Sequence, residues 1–183
     1  MRNALLIDLG GTNIRYASFI GNALSKISKE KIADEDFIPF LKELLEKEEE
    51  EIDCLVIAAA GPNNQSFINL TNRDLLIDSR ELRTKLNLKE CLLLNDWEAV
   101  AQSLSEMNQE CFIPIKRGAP SNENKLLIGP GTGLGVTLII KGQIIPTELG
   151  NTFSLTKGML ENFDLGDNEK FFSLENILSG PGI

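Results

Sequence analysis

The sequence predicts an α/β fold in two lobes, and three observations carry that expectation. An apolar run, a glycine-rich turn and a second apolar run occur at Ala4–Ser18 and again at Lys125–Ile140. After the first of these repeats, helical and strand patterns alternate, the order of a mixed sheet with helices on its faces. Finally, Arg117–Asn124 is a loop rich in Gly, Pro, Ser and Asn, the composition of a domain boundary. The lobes are accordingly drawn as residues 1–112 and 113–183.

Each element follows from its local pattern. Leu5-Leu6-Ile7 ends in Asp8, and Gly10-Gly11 then breaks the chain, the signature of a β-hairpin. Beyond the Gly21-Asn22 turn, Ala23–Lys31 reads as a third, more exposed strand. Asp34–Glu51 sets Phe37, Phe40, Leu41, Leu44 and Leu45 at helical spacing, and its charged tail reads as a solvated helix end. Ile52–Ala60 is a continuous apolar run suited to a buried central strand, closed by Gly61-Pro62-Asn63-Asn64. Phe67–Leu70 gives a short strand and Thr71-Asn72-Arg73-Asp74 a loop. Ser79 is read as the N-cap of a helix closing near Asn87. Cys91–Leu94 is the next strand, and Asp96 opens a helix to about Asn108, with Ala99, Val100, Ser103, Leu104 and Met107 on one face. The second lobe begins with strands at Lys125–Gly129, Val136–Lys141 and Gln143–Ile145 and ends in a helix over Asn168–Leu178.

Composition narrows the chemistry. The net charge of −9 and the lack of a basic cluster make nucleic acid and anionic membrane poor partners. The three cysteines, Cys54, Cys91 and Cys111, show no metal-ligand spacing, and their odd number suits a reducing cytoplasm. No signal peptide or membrane-spanning run is evident; Leu5–Leu9 is too short and runs into glycines. Histidine is absent, which removes Ser-His-Asp and Cys-His catalysis and His-bound metals. Acid–base chemistry must rest on other side chains.

The two glycine turns point to phosphate. A turn without Cβ atoms lets backbone N–H groups approach an anion, and Thr12 and Asn13 add side-chain donors beside Gly10 and Gly11. Asp8, where the first strand enters this turn, is placed to hold Mg²⁺ beside a nucleotide phosphate, or merely to cap the turn. Gly129, Gly131, Thr132, Gly133 and Gly135 make the second turn, too many glycines for a hairpin alone. Asp96 is the first charged group after a buried strand, where open α/β sheets place their ligands. It suits either a general base or a helix cap.

Five motifs in order, Ala4–Ser18, Leu94–Val100, Lys125–Ile140, Thr147–Asn151 and Glu175–Gly182, resemble those of bacterial glucokinases in the hexokinase-like superfamily. The resemblance runs over the whole chain. It implies an actin-like (ribonuclease H-like) ATPase fold, with one complete lobe and the first part of a second. It implies ATP and Mg²⁺ as cofactors and phosphorylation of glucose, or a similar hexose, at the 6-hydroxyl. Asp96 is then the catalytic base. Asn95, Asp96, Glu148, Asn151 and Glu175 bind the sugar, and Asp8 holds the metal. Gly10, Gly11, Thr12, Asn13, Gly131, Thr132 and Gly133 take the phosphates. Thr71 and Asn72 either border the sugar or simply form a turn.

The sequence departs from the family's Glu-Gly-Gly-His pattern, with Leu149 and Asn151 in place of Gly and His, which bears on sugar affinity and preference. The zinc-binding cysteine motif of related kinases and repressors does not follow Asn151. Family members have about twice this material in the second lobe, which leaves three readings open, a gene fragment, a truncated form or a partner-dependent half-protein; in each the chain is expected to be inactive as a kinase on its own and self-associated, most simply as a dimer. A non-catalytic sugar-binding module and an actin-like interaction domain are the competing readings.

Overall fold

The computed structural model describes residues 2–11, 13–64, 66–70, 74–119, 121–153, 156–162, 164 and 170–180. They fall into two units, residues 1–96 and 97–183. The division lies between Asp96 and Trp97, whereas the sequence pattern draws it after residue 112.

In the first unit, β1 (Ala4–Leu9) and β2 (Ile14–Ile20) form the expected antiparallel hairpin, with Leu9 opposite Ile14. The single third strand expected over Ala23–Lys31 is instead two pieces, β3 (Ala23–Leu24) and β4 (Ser28–Glu30), both paired with β2. Helix α1 (Phe37–Lys47) is shorter at both ends than the Asp34–Glu51 segment drawn for it, and buries Phe37, Leu41 and Leu44. Next come β5 (Cys54–Ala59), β6 (Phe67–Asn69), β7 (Leu76–Asp78), α2 (Ser79–Lys85) and β8 (Glu90–Asn95). The main sheet runs β3-β2-β1-β5-β8, with β1, β5 and β8 mutually parallel. Leu5, Leu9, Leu55 and Ile57 are almost fully buried at its centre, as a strand covered on both faces requires.

Two expectations in this unit are corrected. The segment before α2 is a strand, not only a loop: β7 pairs with β6, Ile68 facing Ile77, and both side chains are buried. The α2 N-cap is Asp78, whose carboxylate accepts from the backbone N–H of Arg80 and Glu81. Ser79 is buried and its hydroxyl donates to the Ser66 carbonyl instead. Thr71 and Asn72 lie outside the described residues.

Helix α3 (Asp96–Ser103) starts where expected and stops a turn early. Ser103 and Ser105 donate their hydroxyls to the carbonyls of Val100 and Gln102, three residues back, local bonds that compete with helix continuation. Its buried residue is Ala101, and Val100, expected on the covered face, is exposed.

The second unit holds a three-stranded antiparallel meander, β9 (Lys125–Pro130), β10 (Leu134–Ile140) and β11 (Gln143–Thr147). Lys141 and Gly142 both have positive φ at the β10–β11 turn, the conformation that matches strand twist in a two-residue hairpin. Helix α4 (Thr156–Asn162) has no counterpart in the sequence expectation. Helix α5 is Leu174–Leu178, opened by a Ser173/Asn176 capping box. It therefore begins later than the helix drawn over Asn168–Leu178, of which Asn168 and Glu169 lie outside the described residues. Leu134, Val136 and Leu174 form the unit's small core, with Leu149, Met159 and Leu178 packed against it. No helix among the described residues is long and apolar enough to cross a membrane.

Candidate functional site

Parallel pairing of β1, β5 and β8 brings three chain exits to one edge of the first unit's sheet. Leu9 faces Ala59, and Ala59 faces Asn95, so the β1 exit and Asn95 lie roughly 10 Å apart, two strand spacings. Asn95 is buried, and its amide donates to the Gly61 carbonyl at 3.2 Å. Gly61 has φ +149°, and a Cβ there would fall 2.3 Å from the Asn69 carbonyl oxygen. Asn63, in the same turn, donates to the Leu93 carbonyl at 2.8 Å. These bonds fix the end of β8, and with it Asp96, the half-buried first residue of α3.

At the first glycine turn, Gly10 N–H donates to the Asn13 carbonyl at 3.0 Å, closing the loop between Leu9 and Ile14. Thr12 lies outside the described residues. Asp8 stands directly opposite Arg15, and its Oδ2 accepts from the guanidinium at 2.6 Å. Arg15 was not singled out from sequence. The hairpin register, which sets Asp8 across from it, is the signal that would have found it.

Among the described residues there is no cluster of three or more metal-ligating side chains. Mg²⁺ is usually held by one or two carboxylates with substrate phosphates and water completing its shell. Asp8 therefore fits a phosphate-borne Mg²⁺, with Arg15 as the cation that presently balances its charge.

The second unit gathers its candidate groups around Leu134, the first residue of β10. The turn Gly131-Thr132-Gly133 joins Pro130 to Leu134, with Gly131 N–H donating to the Gly133 carbonyl at 2.8 Å. Glu175 Oε2 accepts from the Leu134 N–H at 3.0 Å. Gly150 lies so close to the other side of Leu134 that a Cβ would fall 2.4 Å from its carbonyl oxygen. That contact seats the tight turn Glu148–Asn151, in which Asn151 donates both its backbone N–H (3.0 Å) and its side-chain amide (3.2 Å) to Glu148. Leu174 N–H donates to the Thr152 carbonyl, tying α5 to this turn. Glu148 and Asn151 are exposed and Glu175 is half-buried.

Gly129 and Gly135 are cross-strand partners. The close approach expected of them is made by the protein itself, because the Trp97 indole fills the space where both Cβ atoms would sit. Trp97 and Leu134, like Arg15, are positions that sequence reasoning missed. The recess between the start of α1 and the β7–α2 segment, lined by Phe37, Ile38, Leu76 and Glu81, contains none of the expected site residues.

The sequence profile of the Glucokinase family matches residues 5–183. Glucokinase of Pseudomonas paraeruginosa is 29% identical over 198 residues, an alignment covering 98% of this chain and 57% of that protein. Glucokinase of Nostoc punctiforme is likewise 29% identical, covering 96% and 57%. Among solved structures, glucokinase from an Antarctic psychrotroph superposes with a TM-score of 0.76 at 23% identity, over 100% of this chain and 62% of that one. Glucokinase from Balamuthia mandrillaris in complex with glucose gives 0.67 at 21% identity, over 99% and 60%. The chain thus spans a little over half the length of the curated relatives it matches. Its architecture is the α/β, actin-like fold of these sugar kinases, covered in part. With a family profile matched along nearly its entire length, the chain belongs to the glucokinase family.

Proposed function

We propose that the protein acts in ATP-dependent phosphorylation of a glucose-type hexose at its 6-hydroxyl. The observation that carries this reading is the seating of Asn95 and Asp96 at the carboxyl edge of the β1-β5-β8 sheet, the edge at which the first glycine turn also opens. Ligands of open α/β sheets bind at such an edge. Membership of the glucokinase family supports the same reading.

In this reaction Asp96 accepts a hydrogen bond from the sugar hydroxyl and takes its proton as the bond to phosphorus forms. Asn95, fixed through Gly61, orients the same hydroxyl region. Glu148, Asn151 and Glu175 accept or donate to the remaining hydroxyls; carboxylates suit this because each takes several donors. The backbone N–H groups of Gly11 and Asn13 and of Thr132 and Gly133, with the Thr12 and Thr132 side chains, hold phosphate oxygens, while the N–H groups of Gly10 and Gly131 close the two turns. Asp8 would hold Mg²⁺, which supplies neutralisation of the transferring phosphoryl group's charge. The three cysteines, all free, fit a cytoplasmic setting.

Saturation-transfer NMR against glucose, mannose and N-acetylglucosamine tests the assignment. Contact with at least one hexose, lost in Asn95→Ala, is the expected result. Failure of all three to bind would sink it.

A further inference from the structure

We infer that Glu175 is a shared carboxylate. One oxygen holds the glycine turn Gly131–Gly133 in shape, and the other takes a hexose hydroxyl, so filling the sugar site and setting the phosphate turn are linked events. The turn-holding half stands on geometry alone; the linkage rests on the hexose reading above.

The turn is gripped by a single short segment on two sides. Before it, Glu175 Oε2 accepts the Leu134 N–H at 3.0 Å. Beyond it, Gly180 N–H donates to the Gly131 carbonyl at 2.7 Å. Both contacts are closer than a side chain at these positions allows without a shift. A Cβ on Gly133 would fall 2.8 Å from Glu175 Oε2, and one on Gly180 would fall 3.0 Å from the Gly131 oxygen. The glycines at 133 and 180 thus admit α5 and its exit to the turn.

Glu175 is itself held in place. The Ser173/Asn176 capping box fixes the first turn of α5, and Ser179 N–H donates to the Glu175 carbonyl at 3.0 Å. Oε1, by contrast, accepts no hydrogen bond among the described residues. A carboxylate has about four lone-pair sites, and bonds to a charged acceptor are stronger than neutral ones. One side chain therefore has the capacity for both tasks. A sugar hydroxyl donating to Oε1 restricts the carboxylate about its own axis, and that restriction passes directly to the Leu134 N–H on Oε2. Because linkage is reciprocal, a phosphate that orders the turn must favour the sugar by the same factor.

Amide hydrogen exchange at Leu134, followed by NMR on the ¹⁵N-labelled chain, tests both halves. Without ligand, Glu175→Ala should speed Leu134 exchange about tenfold or more, the loss expected for one charge-assisted bond. Glu175→Gln, which keeps an acceptor oxygen, should fall between. Gly133→Ala keeps the carboxylate but crowds it away from the Leu134 N–H, and should speed Leu134 exchange in the same direction as Glu175→Ala; it serves as the second variant should Glu175→Ala not fold. Leu134 exchange unchanged in Glu175→Ala or Gly133→Ala overturns the turn-holding role, whatever the sugar does. Added glucose should slow Leu134 exchange in the parent chain and not in Gly133→Ala. Glucose that binds by saturation transfer yet leaves Leu134 unmoved overturns the linkage alone. Glucose that makes no contact overturns the linkage together with the hexose reading, while ligand-free exchange still decides the role of Glu175 at the turn.

Discussion

The Trp97 indole covers Gly129 so closely that a Cβ built on the glycine would fall 1.4 Å from the ring, and one on its cross-strand partner Gly135 would fall 1.7 Å from the indole nitrogen. The two glycines form a flat seat at the turn end of β9–β10, and the ring sits in it. This contact places α3 from Trp97 onward with the second unit. Gly129→Ala and Gly135→Ala should each displace the ring, with an overpacking cost of about 1–3 kcal/mol. Trp97 is the sole tryptophan, so its emission reads the displacement: a red shift in both variants and an earlier denaturant midpoint. Unchanged emission would show that the ring is not held by this seat.

A second pair of glycines separates packing from propensity. Gly150 meets the Leu134 carbonyl, whereas Gly158, inside α4, has nothing within 4 Å of a built Cβ. Gly158→Ala should stabilise the protein by about 0.5–1 kcal/mol through helix propensity. Gly150→Ala should destabilise it and loosen the Glu148–Asn151 turn. Thermal melts of the two variants should move in opposite directions; parallel shifts would refute the Gly150–Leu134 contact.

These glycines also mark where the sequence was legible. Both hairpins, the central parallel strands and the position of Asp96 follow from apolar runs that end at glycine or a first charge, a signal written within a few adjacent residues. Strand β7 was hidden because Leu75-Leu76-Ile77 is short and follows turn-forming residues. Helix α4 was hidden because Thr156–Asn162 carries a glycine and little apolar periodicity. The contacts of Trp97 with Gly129, Gly150 with Leu134 and Glu175 with Leu134 join residues from 16 to 41 apart along the chain. No local pattern encodes them. Glycine composition signalled a close approach at the second turn, but only coordinates show that an indole and a carboxylate make much of it.

Burial pushes the Cys91 thiol up to about 12, and Cys54 is shifted the same way for the same reason. A raised thiol pKa means the folded chain retains a proton that the unfolded chain releases. Stability should therefore be level below about pH 8.5, the ordinary thiol range, and fall progressively from there toward pH 12. At pH 8, a thiol reagent should label exposed Cys111 first, and Cys91 and Cys54 only on unfolding. Cys91→Ser or a blocked thiol should flatten part of the alkaline slope.

Asp78 moves the other way. The Arg80 guanidinium on its carboxylate, followed by the Arg80 and Glu81 backbone N–H groups, lowers it to about 2. Stability from this cap should be fully present above about pH 4, the ordinary carboxylate range, and lost as the pH falls through 2. Asp78→Ala should lower the urea midpoint at pH 7, and the gap to the parent should narrow as the pH approaches 2. A gap independent of pH would mean that the carboxylate's charge does not carry the cap.

Asp96 stands at the first position of α3, where an acidic residue is favourable to the helix dipole whether or not it does chemistry. Asparagine separates the two roles. It keeps the size and one acceptor of Asp96, and is a good residue at helix starts, but it cannot take a proton. In a chimera that continues the chain into the remaining length of a homologous glucokinase, Asp96→Asn should lower kcat by about 10²–10⁴, the usual worth of general base catalysis. Glucose KM should change little, since binding contacts are retained. Asp96→Ala should show the same kcat loss and also a less stable α3, read as a lower melting temperature than Asp96→Asn. A base role further requires that the loss in Asp96→Asn shrink as pH rises and the sugar hydroxyl needs less help. If kcat in Asp96→Asn falls by less than about threefold, while Asp96→Ala only melts earlier, Asp96 is a helix-end residue and the proton must be taken elsewhere.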